Sequence, residues 1–122
     1  MSKKILVVDD EADVRRFLTA VLQKRGHETV TAEDGREAYE IAERERPDLI
    51  ILDLQMPDQT GTDFYRRLMK HKDLQNTPII VVSGLAGRHL AVREPFAVFD
   101  KPIDPEDFGS TVDRALGLET EE

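Results

Sequence analysis

The sequence of 122 residues contains no cysteine, which excludes a disulfide framework and any site built on a thiolate. Long hydrophobic runs are missing as well. No run approaches the length of a membrane span, and the four apolar residues at positions 5–8 are too few for the apolar region of a signal peptide. We therefore expect a cytoplasmic protein that does not insert into membranes.

Acidic residues outnumber basic residues in this chain. It has 17 lysine and arginine residues against 25 aspartate and glutamate residues, so the formal net charge is −8 at pH 7. Because phosphate backbones attract lysine- and arginine-rich surfaces, this balance argues against direct binding to nucleic acid. The sequence also contains neither a P-loop nor the glycine fingerprint of dinucleotide-binding sites.

Apolar residues, in contrast, make up 39% of the chain, which is enough to bury a core. No repeat, low-complexity tract or linker interrupts the sequence, and its length is typical of one domain. We expect a single domain over residues 1–122, in which only residues 119–122 form a frayed tail.

Continuous apolar, β-branched runs alternate with helical patterns along the chain. Three runs, at 5–8, 49–52 and 79–82, have the composition of strands that are covered on both faces. Two weaker strand candidates lie at 29–32 and 96–99. Repeated strand–helix alternation predicts an α/β fold with a parallel sheet between two helical layers.

Helical spacing of apolar residues predicts the helices between these strands. The first helix has an apolar face of five residues: Val14, Phe17, Leu18, Val21 and Leu22. Gly26 ends this helix. The second helix begins at the capping residue Asp34 and cannot continue through Pro47. The third helix covers about 62–71, and the last helix follows Asp104. The remaining apolar helix positions are Ala38, Ile41, Ala42, Phe64, Leu68, Phe108, Val112 and Leu116.

Acidic residues follow two of the predicted buried strands. Asp9 and Asp10 come directly after the first apolar run, and Asp53 follows the run at 49–52. The carboxyl ends of parallel strands meet at one edge of such a sheet, where ligands bind. Three carboxylates at one place repel one another and suit a hard cation such as Mg²⁺. The alternative is that Asp9 and Asp10 cap the following helix, which would not explain Asp53.

A hydroxyl and an ammonium group occur at the ends of the two remaining strands. Ser83 follows the run at 79–82, and Lys101 follows the weak strand at 96–99. Beside a carboxylate–metal cluster, both would donate charge-assisted hydrogen bonds to the oxygens of a phosphoryl group. Alone, Ser83 would be a turn residue and Lys101 a solvated charge, so their significance lies in the set.

The whole chain resembles the receiver domain of bacterial two-component response regulators. The residues that carry the resemblance are Asp9-Asp10, Asp53, Met56-Pro57, Gly61, Ser83 and Lys101-Pro102. The resemblance implies a flavodoxin-like, doubly wound, five-stranded parallel sheet of order 2-1-3-4-5 in a three-layer fold. Because no output domain follows in this sequence, we expect a stand-alone receiver similar to the chemotaxis type.

The resemblance also implies a role for each acidic residue. Asp53 would be the phosphoacceptor. Asp10 and Asp53 would ligate Mg²⁺ together with the backbone carbonyl of Gln55, and Asp9 would act through a bound water.

The two donors receive roles in the same way. Lys101 would pair with Asp53 and then with the phosphoryl group, while Ser83 would donate a hydrogen bond to a phosphoryl oxygen. The peptide bond between Lys101 and Pro102 is expected to be cis, as in the family.

Two features depart from the receiver pattern. Receivers usually carry a tyrosine or phenylalanine three residues before the lysine, where this chain has Val98. Strand alternation would point Phe99 to the opposite face, so we interpret both as ordinary core residues. The stretch between Ser83 and Lys101 is also short, so a helix at 86–93 should be reduced or irregular.

The leading hypothesis is therefore a phosphoacceptor signalling module rather than a turnover enzyme. A histidine kinase or a histidine phosphotransfer protein would donate to Asp53, docking on the first helix and the loop at Lys101, and a downstream protein would receive the signal. One alternative is a Mg²⁺-dependent phosphohydrolase or nuclease, although such enzymes need a second acid, where this chain has Gln55. The other is a degenerate receiver that acts as a protein-binding scaffold.

Overall fold

The computed structural model describes residues 3–53, 60–83 and 95–118, without the side chains of Thr60 and Ser83. Five strands and four helices occur in this part of the chain. In chain order they are β1 (Lys4–Val8), α1 (Ala12–Lys24), β2 (Glu28–Ala32), α2 (Gly35–Glu45), β3 (Leu49–Asp53), α3 (Thr60–Met69), β4 (Ile79–Ser83), β5 (Ala97–Asp100) and α4 (Pro105–Ala115). The predicted helix at 86–93 and the predicted tail at 119–122 lie outside the described residues.

The strands form one parallel sheet in the order β2-β1-β3-β4-β5, which confirms the predicted fold class and strand order. β1, β3 and β4 are the three central strands, and their apolar residues are almost completely buried. This burial explains why their sequences are continuous apolar runs instead of alternating ones.

Alternate residues of the central strands face two separate cores. Leu6 and Val8 of β1 belong to the core that is closed by α2 and α3, whereas Ile5 and Val7 belong to the core that is closed by α1 and α4. The apolar helix residues that close the two cores are, as predicted, Ala38, Ile41, Ala42, Phe64 and Leu68 on one side and Leu18, Leu22, Phe108 and Val112 on the other. The two helical layers are therefore confirmed.

The helix ends also follow the sequence. Asp34 caps α2 by accepting a hydrogen bond from the backbone N–H of Glu37, and Asp104 caps α4 in the same way with Asp107. After α1 the chain turns at Gly26, whose φ of +90° lies in the region that favours glycine. None of the described helices has the length and apolar composition that a membrane crossing requires.

Several predicted details differ from the structure. β5 and α3 begin one and two residues away from their predicted positions, and β2 includes Glu28 as well. Phe17 is 39% exposed, because it lies about 100° around α1 from Leu18, which faces the sheet. The core assignment of Val98 is wrong, since it is 38% exposed on an edge strand. Phe99 does pack inward, edge-on to Phe108 with ring centroids 5.5 Å apart.

Candidate functional site

The carboxyl edge of the sheet brings the three predicted aspartates together. Asp9 directly follows β1, Asp53 is the last residue of β3, and these two strands are neighbours in the sheet. One carboxylate oxygen from each of Asp9, Asp10 and Asp53 lies within 4.8 Å of the others. Asp9 and Asp53 are each 1% exposed, whereas Asp10 is exposed. The cluster therefore has a buried inner side and an open outer side.

Lys101 reaches the same cluster from the turn after β5. Its Nζ atom lies 3.5 Å from Asp9 Oδ2 and 3.6 Å from Asp53 Oδ2. The Lys101–Pro102 peptide bond is cis, as expected from the resemblance. The structure thus places one ammonium group against the two buried carboxylates.

The electrostatics of this pair of carboxylates are unfavourable without a further cation. The pKa of Asp9 is raised to about 6 from its ordinary value of 3.8, chiefly by burial and also by the negative charge of Asp53. A hydrogen bond from the backbone N–H of Glu11 and the charge of Lys101 act in the opposite direction without cancelling these effects. Burial lowers the pKa of Lys101, but the charges of Asp53, Asp9 and Glu11 outweigh it, so that pKa is raised overall.

The same residues have the properties of a hard-cation site. Asp9 Oδ2 is buried and accepts no hydrogen bond of normal geometry from the described residues, although Lys101 Nζ lies 3.5 Å away. Burial of a carboxylate oxygen without a hydrogen bond of normal geometry lowers the stability of the folded protein, and a bound cation would offset that cost. Three carboxylates offer the oxygen ligands that Mg²⁺ prefers. The donor set fits Mg²⁺, although the carbonyl of Gln55 lies outside the described residues.

The capping alternative for the first two aspartates is not supported by the geometry. The N-cap residue of α1 is Glu11, and its side chain makes no cap hydrogen bond. Asp9 Oδ1 instead accepts a hydrogen bond of 2.9 Å from the backbone N–H of Glu11, which orients the carboxylate in the turn. Asp9 and Asp10 therefore belong to the cluster rather than to the helix terminus.

Two charged residues near the site were not identified from the sequence. Arg15 donates a hydrogen bond of 2.6 Å to the backbone carbonyl of Asp9 and lies 3.7 Å from Glu33. Glu11 Oε1 lies 3.5 Å from Lys101 Nζ. Both residues follow the aspartates closely in the sequence, at the start of α1. That proximity is a weak signal, because charged residues are common in the first turns of exposed helices whether or not a site lies nearby.

Ser83 ends β4 at the same edge of the sheet. It is paired in register with Asp100 of β5, and its neighbour Val82 is paired with Asp53 of β3. The backbone of Ser83 is thus beside the cluster, as the order of the strands requires, while its side chain is not among the described atoms.

The comparisons with known proteins agree with this geometry. The model of the response regulator receiver domain matches residues 5–113, which include the three aspartates, Ser83 and Lys101. The chain belongs to the receiver domain family of response regulators. Receivers of this family are phosphoacceptor signalling domains, and their acidic pocket binds Mg²⁺.

Similar receivers occur in diverse bacteria. The chain is 34% identical over 116 residues to protein Rrf1 of Nitratidesulfovibrio vulgaris, covering 95% of this chain and 84% of the relative. It is 32% identical over 127 residues to sporulation initiation phosphotransferase F of Bacillus subtilis, covering 98% of both. Some other relatives are longer, and the chain spans 34% of the length of two probable transcriptional regulators that it matches.

The fold has well-defined counterparts among solved structures. The chemotaxis response regulator CheY4 of Vibrio cholerae matches with a TM-score of 0.84 and 32% sequence identity. The alignment covers 94% of this chain and 99% of CheY4. The similarity to a chemotaxis receiver that was expected from the sequence is thereby confirmed.

Proposed function

We propose that this receiver accepts a phosphoryl group on Asp53, with Mg²⁺ as cofactor, from a histidine kinase or a histidine phosphotransfer protein. The observation that carries the proposal is the position of Asp53. Its carboxylate is almost fully buried, belongs to a cluster of three, and has a lysine ammonium 3.6 Å away. This combination places positive charge beside a buried carboxylate nucleophile, where an incoming anion would need it.

The proposed cation ligands are the carboxylates of Asp10 and Asp53 and the backbone carbonyl of Gln55, with Asp9 acting through a water. When bound, Mg²⁺ would neutralise the charge between these carboxylates and the phosphoryl oxygens. The unsatisfied Oδ2 atom of Asp9 supports this assignment, because it needs a donor that the described residues do not supply.

In the proposed transfer, one carboxylate oxygen of Asp53 attacks the phosphorus of a phosphohistidine. A new O–P bond forms while the P–N bond to the imidazole breaks, and the imidazole keeps the electron pair and takes up a proton. Lys101 neutralises the charge on the transferred group, and the hydroxyl of Ser83 donates a hydrogen bond to one of its oxygens. Asp53 then carries about two negative charges where it carried one.

That added charge supports a signalling role. It would draw Ser83 inward, and the altered surface would bind a downstream protein or present the group for onward transfer. The name of the relative from Bacillus subtilis, sporulation initiation phosphotransferase F, is consistent with onward transfer. We propose no turnover activity, no direct nucleic-acid binding, a single domain over 1–122 and a cytoplasmic location.

An exposed aromatic residue supports the proposed docking face for the donor protein. Phe17 of α1 is 39% exposed and lines a cleft of about 560 Å³ between α1 and α4. The cleft also includes Val21, Pro105 and Glu106, so it continues towards the loop that carries Lys101. A partly apolar surface of this kind suits docking by a protein that must bring its phosphohistidine to Asp53.

The central test is phosphorylation by a small donor. Wild-type protein incubated with acetyl phosphate and Mg²⁺ should gain the mass of one phosphoryl group, and removal of Mg²⁺ with a chelator should prevent the gain. Asp53→Asn should not be modified. Asp100→Asn is the matched control, because Asp100 is also a strand-end aspartate at this edge but is exposed. Equal modification of Asp53→Asn and the wild type would contradict the proposal.

The docking face is tested separately with protein donors. A panel of autophosphorylated histidine kinases would first be screened for the kinase that phosphorylates the wild type fastest. The rate of phosphoryl transfer from that kinase would then be measured for the wild type and for Phe17→Ala. Transfer from the kinase should slow, while phosphorylation by acetyl phosphate should not change. Equal slowing with both donors would mean that Phe17 acts on the site itself and not on docking.

A further inference from the structure

The ammonium group of Lys101 is shared almost equally by three carboxylates. Its Nζ atom lies 3.5 Å from Asp9 Oδ2, 3.5 Å from Glu11 Oε1 and 3.6 Å from Asp53 Oδ2. Asp9 and Asp53 already have roles in the proposed function. Glu11 has none, although it holds the lysine as closely as they do.

Helix formation does not explain why position 11 is a glutamate. Glu11 is the N-cap residue of α1, yet its side chain accepts no hydrogen bond from the first turn. The N-cap residues of α2 and α4, Asp34 and Asp104, both do so. Glutamate is a poor capping residue compared with serine, threonine, aspartate or asparagine. Its side chain points to Lys101 instead, so its contribution is to the site.

The position of Glu11 relative to the acceptor is fixed by these contacts. Glu11 Oε1 and Asp53 Oδ2 both lie within 3.6 Å of Lys101 Nζ, so they are at most about 7 Å apart. The side chain of Glu11 is 63% exposed, whereas that of Asp53 is 2% exposed. Glu11 therefore places a fixed negative charge on the solvent side of the acceptor, within a Debye length of any phosphoryl group that reaches Asp53.

We propose that Glu11 is a specificity-determining residue that disfavours small, highly charged phosphoryl donors at Asp53. The proposal rests on the proposed function of Asp53. Repulsion between Glu11 and a donor grows with the charge of the donor, so a dianion is disfavoured more than a monoanion. A protein donor can offset the same repulsion with docking contacts on α1, which a small molecule in solution does not make.

The size of the effect follows from the distance. At about 7 Å in a water-like dielectric, loss of the Glu11 charge should accelerate reaction with a dianionic donor about three- to tenfold at low salt. For a monoanionic donor the gain should be about two- to threefold, and high salt should reduce both gains.

The experiment compares acetyl phosphate, a dianion at pH 7.5, with phosphoramidate, which carries close to one negative charge. Phosphorylation rates at saturating Mg²⁺ would be measured for the wild type, Glu11→Gln and Glu11→Asp. Asp13→Asn is the matched control, because it removes one charge from the same helix. Asp13 pairs with Arg16 and not with Lys101. Thermal unfolding would verify that all variants are folded.

The proposal is supported if Glu11→Gln increases the phosphorylation rate more with acetyl phosphate than with phosphoramidate, and if high salt reduces this increase. Glu11→Asp and Asp13→Asn should both react at nearly the wild-type rate. The proposal is overturned by equal gains with both donors, by an equal gain in Asp13→Asn, or by no gain while the wild type is phosphorylated normally. If the wild type accepts no phosphoryl group from either donor, the proposed function itself fails and the role of Glu11 fails with it.

Discussion

Replacement of Asp9 by asparagine should stabilise the protein in the absence of Mg²⁺. Asp9 is 1% exposed, and its pKa is raised to about 6 from 3.8 by burial and by the neighbouring charge of Asp53. That difference corresponds to roughly 3 kcal/mol at neutral pH, at about 1.4 kcal/mol for each pKa unit. Asparagine has nearly the same shape without the charge, so Asp9→Asn should raise the free energy of unfolding by about 1–3 kcal/mol at pH 7.5.

The sign and the pH window of this effect follow from linkage. Because the pKa of Asp9 is higher in the folded protein than in the unfolded chain, the folded state binds the proton more tightly. The contribution of Asp9 to stability therefore falls as the pH rises from about 3.8 to about 6, and it is constant above that range. Below pH 3.8 the side chain is neutral in both states, so the wild type and Asp9→Asn should differ little there.

The assay is urea unfolding in chelator, followed by circular dichroism from pH 3.5 to 8. The difference between the variant and the wild type is the informative quantity, since other titrating groups act on both proteins. Asp10→Asn is the control, because Asp10 belongs to the same cluster but is exposed. Asp10→Asn should change the free energy of unfolding much less than Asp9→Asn does, because solvent screens the charge of Asp10.

Addition of Mg²⁺ should then reduce the advantage of Asp9→Asn over the wild type. A cation that binds only the folded state stabilises it according to its concentration and affinity, and Asp9→Asn weakens that site. The wild type should gain stability with Mg²⁺ and the variant should gain less. A variant that is less stable than the wild type in chelator at pH 7.5 would refute the reasoning, as would a difference that does not depend on pH.

Three further predictions concern core packing, the edge strand β5 and the carboxylate of Asp113, which contacts Arg25 and His27. Phe108→Ala should lower the free energy of unfolding by about 3–5 kcal/mol in urea, because Phe108 is fully buried. Val98→Thr, on exposed β5, should change it by less than about 0.5 kcal/mol. Asp113→Ala should cost about 1–3 kcal/mol, since it leaves the buried His27 and the guanidinium of Arg25 without the carboxylate that both contact at 2.9 Å. A loss of less than about 0.5 kcal/mol for Asp113→Ala in the same assay would count against that reasoning.

Much of the fold could be predicted because its signals are local and redundant. The runs at 5–8, 49–52 and 79–82 are continuous apolar sequences, and only strands buried on both faces have that pattern in a chain of this kind. Asp34 and Asp104 mark the starts of α2 and α4, since both accept the capping hydrogen bond that their side chains allow. The site followed from topology, because strand order alone brings Asp9 beside Asp53.

The errors have a common physical origin, which is that burial depends on neighbours that are distant in sequence. Phe17 and Leu18 both belong to the predicted apolar face of α1, but only Leu18 is buried against the sheet. Val98 and Phe99 are both apolar residues of β5, and the edge position of that strand leaves only Phe99 well packed. In the same way, the contact between Glu11 and Lys101 joins residues that are 90 positions apart, so periodicity could not reveal it.

The charges of the site also explain why phosphorylation should act as a switch. Asp9, Asp10 and Asp53 carry three negative charges, and Lys101 supplies one positive charge among them. A divalent cation would balance the remaining two, and the carboxylate of Glu11, 3.5 Å from the Lys101 ammonium, would be left as an excess negative charge at the rim of the site. Transfer to Asp53 would add about one more negative charge. Lys101 is already paired with the carboxylates of Asp9 and Asp53, so it does not fully neutralise this added charge. A hydrogen-bond donor that moved towards the phosphoryl group would offset this charge, and Ser83, at the end of the neighbouring strand, is the donor proposed for that role.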